Sequence, residues 1–176
     1  FCNPCQVLAH LMTIRAHRSL LEGLRMCYIG DGNNMANSLI VGGIKTGMEV
    51  AVATPAAYRP DPVVLDFAKD YGDAFTLTED IFTAARDADV IFTDVWASMG
   101  QEGEAAERRK VFEGYQVNEK LLSVAKADCM VQHCLPAHRG EEITEETFEK
   151  HADEIFDEAE NRLHAQKAVL VKLLKK

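Results

Sequence analysis

The stretch RMCYIGDGNNMANSLIVGGIKTGMEVAVAT, Arg25 to Thr54, decides the fold. RMCYI has strand character and runs into a glycine turn, GDGNN. MANSLIVGGIKTG then carries helical spacing and stops at Gly47, a residue suited to a helix end. MEVAVAT is a second apolar strand. Strand, turn, helix and strand in this order predict a βαβ unit with parallel strands.

The alternation continues outward. PAAYRPDP predicts a Pro-rich loop, VVLDFAKDYG a helix, AFTLTE a short strand, DIFTAARDA a helix and DVIFTD a strand. CMVQHCL is a further strand, reached after a helical stretch around NEKLLSVA. Upstream, FCNPCQVLAHLMTI predicts a helix with Pro4 in its first turn and Asn3 as its cap. Val7, Leu8, Leu11, Met12 and Ile14 recur there at helical spacing. EAENRLHAQKAVLVKLLKK predicts a last helix with apolar positions Ala165, Ala168, Val169, Val171 and Leu173. Its lysine-rich end complements the helix dipole. The expected fold class is α/β: a three-layer αβα Rossmann-like domain on a mostly parallel sheet of about five strands. One domain is expected over residues 1–176.

Composition excludes several function classes. Nineteen basic and 28 acidic residues give a formal charge of −9, which argues against nucleic acid or an anionic membrane as partner. The acids concentrate in GEEITEETFEKHADEIFDEAE, where helix faces should be solvated. No apolar run approaches the ~20 residues of a membrane span, and no secretion signal pattern opens the chain. The 5 cysteines have no framework spacing, so reduced thiols and a cytoplasmic location are expected. Cys2 and Cys5 form a C-x-x-C without a second pair, which leaves a metal or redox role unsupported.

In parallel sheets of this kind ligands bind beyond the carboxyl ends of the strands. Three polar loops fall there: GDGNN (30–34), DVWASMG (94–100) and HCLPAHRG (133–140). They are expected to share one rim. GDGNN fails as a dinucleotide fingerprint, because Met35 takes the third glycine position and no acid ends the second strand. Asn33 and Asn34 offer amides to a polar ligand, or Asn34 caps the helix. In DVWASMG, Asp94 suits an ammonium, and Ser98 with the backbone near Met99 suits a carboxylate. The plainer alternative is a turn packed by Trp96 and Met99. Cys134 is a rim thiol, able to act as a nucleophile or as a polarisable neighbour of an amine. His133 must point to the opposite face from Cys134, which counts against a Cys–His dyad. His138 and Arg139 are expected in solvent. Arg162, read as lying near a helix start, could hold an anion or pair with Glu158.

DGNN, D-x-W-x-S-M-G, H-C-L-P and E-N-R, in this order and spacing, resemble the ornithine carbamoyltransferase family. GYQVN between them fits as well, and the resemblance covers essentially the whole chain. The S-M-G loop points to ornithine, since aspartate carbamoyltransferases differ there. The resemblance implies carbamoyl transfer from carbamoyl phosphate to the δ-amine of L-ornithine, giving L-citrulline and phosphate, with no metal and no organic cofactor. Asn34, Asp94, Ser98 and Met99 match the ornithine-binding positions. Cys134 matches the catalytic cysteine, with Asp94 beside it. Asn3, Gln6, Cys134, Leu135 and Arg162 match positions at the carbamoyl phosphate. The neutral amine is the nucleophile, and a thiolate and a carboxylate nearby could take its proton.

Two departures follow. The family motif H-P-x-Q reads NPCQ here, so Asn3 replaces a histidine and cannot carry its charge. His10 stands where relatives have an aspartate. The family also has an amino-terminal carbamoyl-phosphate domain with an S-x-R-T-R loop, and no such loop occurs here. Residues 1–176 are therefore expected to be the ornithine-binding half, inactive alone, from a homotrimeric enzyme. The alternative is a truncated paralogue that binds an amino acid or a partner without catalysis. A helix that normally packs across both domains would then leave its apolar stripe exposed.

Overall fold

A computed structural model describes residues 1–97 and 102–175. Five strands form one sheet: β1 (Arg25–Ile29), β2 (Glu49–Ala53), β3 (Phe75–Thr78), β4 (Val90–Thr93) and β5 (Met130–His133). Their order is β3-β2-β1-β4-β5, and each neighbouring pair is parallel. The helices are α1 (Pro4–Arg18), α2 (Asn34–Lys45), α3 (Pro62–Lys69), α4 (Ile81–Ala85), α5 (Ala105–Val111), α6 (Glu119–Leu122), α7 (Glu145–Lys150) and α8 (Ala152–Leu174). This is the expected three-layer α/β architecture.

Period-two alternation divides the core. Met26, Tyr28, Val50, Val52, Val90 and Phe92 face α1, α2 and α3 through Val7, Leu11, Ile14, Leu39, Ile40 and Val64. Cys27, Ile29, Ala51, Ala53, Ile91 and Val131 face the other way, onto Ala84, Ala85, Leu121, Phe148 and Ile155. Both faces are covered, which is why the strands read as unbroken apolar runs.

The register fixes the site. Ile29 lies beside Thr93, and Thr93 lies beside His133. The next residues along the three strands are Gly30, Asp94 and Cys134, so the three loops leave the sheet level with one another. The strand order also reverses between β1 and β4, so these loops flank the switch point.

Several expectations are corrected. Helices α5 and α7 were not anticipated, and α8 begins at Ala152 rather than Glu158. Arg162 therefore lies in the interior of a 23-residue helix, where backbone N–H groups are spent on the ladder and cannot hold an anion. On α1, Leu8 and Met12 are exposed at 43% and 41%, while Gln6, His10 and Thr13 are buried with Val7, Leu11 and Ile14. The cause is α8, which packs along α1 and supplies polar partners there: Glu158 accepts from Gln6, and Asn161 donates to Thr13. Asn3 occupies the cap position of α1, but its side chain makes no capping bond; its backbone N–H donates to Ser38.

Candidate active site

The turn after β1 is built by backbone contact. Gly32 donates its N–H to the Tyr58 carbonyl at 2.8 Å, and a Cβ there would overlap the backbone of Tyr58 to Pro60. This G-x-G thus serves loop-on-loop packing, which accounts for the failed dinucleotide pattern. Asn33, not Asn34, caps α2. Its Oδ1 accepts from the N–H groups of Met35 and Ala36 at 2.8 and 3.2 Å. Its Nδ2 donates to Asp94 Oδ2 at 2.9 Å. One amide thus joins the turn to the next loop and leaves Asn34 facing the cleft.

Asp94 is 7% exposed and accepts from three protein donors, one fewer than a carboxylate can take. Oδ1 accepts from its neighbour Val95 N–H at 2.8 Å and from the Cys134 thiol at 3.0 Å. Burial and the Asp94 carboxylate push the Cys134 thiol well above its ordinary range. The sulfur is therefore a neutral thiol that donates, and the expected thiolate is corrected: a carboxylate at hydrogen-bond distance disfavours a second negative charge.

Asp94 and Cys134 open into a cleft of about 380 Å³. Asn3 and Gln6 reach it from α1, Asn34 and Met35 from α2, Leu135 and His138 from beyond β5, and Arg162 from α8. Of the site residues expected from sequence, Asn3, Gln6, Asn34, Asp94, Cys134, Leu135 and Arg162 therefore share one cleft. Ser98 and Met99 lie outside the described residues. Leu135 has φ of +51°, in the left-handed region, and its N–H donates to His133 Nδ1 at 2.8 Å. His133 is fully buried on the far side and gives its other ring nitrogen to Glu142 at 3.0 Å, as strand alternation required. His138 is exposed at the rim.

Arg162 makes no ion pair with Glu158 among the described residues, so the salt-bridge alternative is not met. Its guanidinium is left for the cleft. His138, Glu141 and Glu142 bring possible ligand atoms within 4.8 Å of one another. Glu142 is already shared by His133 and the His138 N–H, and Glu141 pairs with Arg109. Protein donors thus hold Glu142 Oε1 and Glu141, while Glu142 Oε2 is buried with no hydrogen-bond partner among the described residues.

Three groups escaped the sequence reading. Asn33 was set beside Asn34 without a way to divide their roles. Arg108 lies in a stretch of mixed charge that carries no signal of burial. It is 6% exposed, donates to Asp31 at 2.7 Å and to the Trp96 carbonyl at 2.9 Å, and lies over the Tyr58 ring. It thereby ties the turn after β1 to the loop after β4. Glu158, which sequence spacing pairs with Arg162, is fully buried and accepts from Gln6 at 2.6 Å. A buried charged residue on an otherwise solvated helix is a signal that only the position of α1 reveals.

The fold and cleft define an α/β domain that receives a small polar molecule at the switch point of a parallel sheet. Residues 22–173 match the family model described as aspartate/ornithine carbamoyltransferase, Asp/Orn binding domain. The chain belongs to the aspartate/ornithine carbamoyltransferase family. It is 53% identical over 178 residues to the ornithine carbamoyltransferase of Pyrococcus abyssi, covering 99% of this chain and 56% of that protein. It is 54% identical to the one from Carboxydothermus hydrogenoformans, over 98% of this chain and 57% of the other. Among solved structures, the Pyrococcus furiosus enzyme superimposes with a TM-score of 0.88 at 52% identity, over 97% of this chain and 56% of that one. The Gloeobacter violaceus enzyme gives 0.89 at 49% identity, over 99% and 59%. The chain thus spans little more than half the length of these relatives. No helix among the described residues is long and apolar enough to cross a membrane.

Proposed function

We propose that this chain is the ornithine-binding half of an ornithine carbamoyltransferase, and that the remaining length seen in its relatives supplies the carbamoyl-phosphate domain. On this reading the reaction joins L-ornithine and carbamoyl phosphate to give L-citrulline and phosphate in a cytoplasmic, trimeric enzyme. The observation that carries it is the Cys134–Asp94 contact of 3.0 Å in one cleft with Asn34, Gln6 and Arg162.

The chemistry follows from those groups. An alkyl ammonium ionises near pH 10, so ornithine must lose a δ-proton before it attacks. Asp94 is the anionic partner for the α-ammonium, and Asn34, Ser98 and Met99 complete the amino-acid subsite. The δ-nitrogen forms a bond to the carbamoyl carbon while the carbon–oxygen bond to phosphate breaks. The phosphate takes up the proton shed by the nitrogen as it departs, and so leaves as the hydrogenphosphate dianion. Cys134, held neutral, lies against the amine as a polarisable thiol without competing for the carbamoyl group. Arg162 favours charge on the carbamoyl oxygen and the departing phosphate, Asn3 adds an amide donor, and the Leu135 carbonyl accepts from the carbamoyl amide. The residues need no resident metal or organic group for these steps.

The test is a citrulline assay on the chain alone and on the chain joined to the amino-terminal domain of a relative. Turnover only in the joined protein is expected. Robust turnover by the isolated chain would overturn the division of labour, and none in a folded joined protein would overturn the activity.

A further inference from the structure

The cleft wall formed by α1 has a buried layer behind it. Gln6 is 3% exposed and lines the cleft, and its Nε2 donates to Glu158 Oε1 at 2.6 Å. Its Oε1 has no hydrogen-bond partner among the described residues. A carboxylate has only acceptors, whereas a primary amide has one end of each kind. An ionised Glu158 therefore leaves Gln6 a single satisfied orientation, with nitrogen inward and oxygen outward.

We propose that Glu158 is a positioning residue that sets the polarity of Gln6, so that α1 presents a hydrogen-bond acceptor to an –NH2 donor in the cleft. This rests on the proposed function, in which that donor is the carbamoyl amide. The second oxygen of Glu158 has no hydrogen-bond partner among the described residues, and the whole side chain is buried. A group so placed contributes little to stability, which suits a role in orientation.

Glu158 also titrates in a useful range. Burial raises its carboxyl from 4.5 to about 7, against the opposing pull of Arg162 and Gln6. The groups facing it are Gln6 and His10 from α1, with His10 Nδ1 3.6 Å away, Cys134 from beyond β5, and Arg162 from its own helix. His10 stays neutral, since burial lowers it to about 3, and Cys134 stays a thiol. Glu158 is then the group of this layer that changes charge near neutrality. Once protonated it can donate to Gln6 Oε1, the amide turns over, and the cleft meets a donor in place of an acceptor.

The first experiment is nitrogen-15 NMR of the 176-residue chain, following the side-chain amide of Gln6 with pH. The Gln6 pair should shift with a midpoint near 7 in the wild type and stay flat in Glu158→Gln, an isosteric neutral change. No shift, or one that survives the substitution, would overturn the proposal whether or not the joined enzyme turns over. The second experiment is steady-state kinetics of the joined enzyme. Above pH 8, where Glu158 is ionised, Glu158→Gln should raise KM for carbamoyl phosphate about tenfold and leave KM for ornithine unchanged. Placed on Gln6→Ala it should add nothing, since Glu158 acts through Gln6. Additive losses in the double variant would overturn the proposal. A folded joined wild type that makes no citrulline would instead sink the proposed function and leave the NMR result to decide here.

Discussion

The two walls of the cleft are built on opposite principles. The wall from the loops after β1, β4 and β5 is mostly a closed network: Asp31, Arg108, Asn33, Asp94 and Cys134 each hold a partner within the domain, and the Trp96 ring N–H is buried there with none among the described residues. The wall from α1 and α8 is open: Glu158 Oε2 is buried with no hydrogen-bond partner among the described residues, and the side chain of Asn3 makes no capping bond. A closed network holds its geometry before a ligand arrives. An open one is strained by desolvation and adjusts with charge or with a neighbour. On the proposed function, the closed wall faces ornithine and the open wall faces the carbamoyl group and the remaining domain. The exposed leucines of α8 agree: Leu163, Leu170, Leu173 and Leu174 are between 57% and 77% exposed, on the helix that forms the open wall.

The largest break in this contrast comes from Arg108. Arg108→Met leaves Asp31 buried beside Asp94, and losing one member of a buried pair costs about 3–5 kcal/mol. Urea unfolding should show a lower midpoint with little change in slope. Burial already raises the Asp31 carboxyl despite the pull of Arg108, so the orphaned acid has a ready route to neutrality on acidification, and the loss should shrink as pH falls. Adding Asp31→Leu should recover much of the loss at pH 7. A single variant as stable as wild type would mean that the pair carries no structural weight.

Asp94 tests the same wall by function. Asp94→Asn keeps the shape and removes the charge. In the joined enzyme, kcat/KM for ornithine should fall about a hundredfold, the scale for a buried charged hydrogen bond that loses its partner. KM for carbamoyl phosphate should change far less. Equal losses toward both substrates would erase the distinction between the walls.

The open wall is probed by pH. Glu158 ionises near 4.5 in the unfolded chain and near 7 when folded, so the folded state holds the proton more tightly between these values. Its contribution is therefore present below pH 4.5 and lost as pH rises toward 7. His10 runs the other way: its folded value of about 3 lies below 6.5, so its contribution is present above 6.5 and lost on acidification. His10 is common to wild type and Glu158→Gln, and cancels in their difference. The melting temperature of Glu158→Gln should exceed that of wild type by a few degrees more at pH 8 than at pH 5. An equal gap at both values would mean that Glu158 holds no buried charge.

The closed wall was more legible in the sequence than the open one. Parallel strands, their boundaries and the convergence of three loops follow from periodicity and from a rule about strand ends, both local signals. Asp94 and Cys134 could be placed together because each stands one residue past a strand. Arg108 could not, because nothing along the chain shows that one arginine of ERRK turns inward over Tyr58. The buried layer of α1 was illegible for a related reason. Gln6, His10 and Thr13 look like the polar face of a surface helix until α8, some 150 residues later, covers them. His10, which had no account in sequence, gains one: it is neutral, bonds to Gln132 at 2.8 Å and stands edge-on to Phe92.

Two asparagines at helix starts give the finest comparison. Both hold the cap position, and sequence ranks them alike. Asn33 satisfies two N–H groups of α2 and one oxygen of Asp94, while the Asn3 side chain caps nothing. Asn33→Ala should cost about 1–2 kcal/mol in urea unfolding, and should free the carboxylate of Asp94 enough to weaken ornithine binding severalfold. Asn3→Ala should stay within about 0.5 kcal/mol, since Pro4 at the first turn and the Ser38 bond to the backbone remain. If the two substitutions cost the same, cap position alone sets the energy and the contrast between the walls loses its smallest support. If only Asn33→Ala destabilises, the side-chain bonds that close one wall account for the difference.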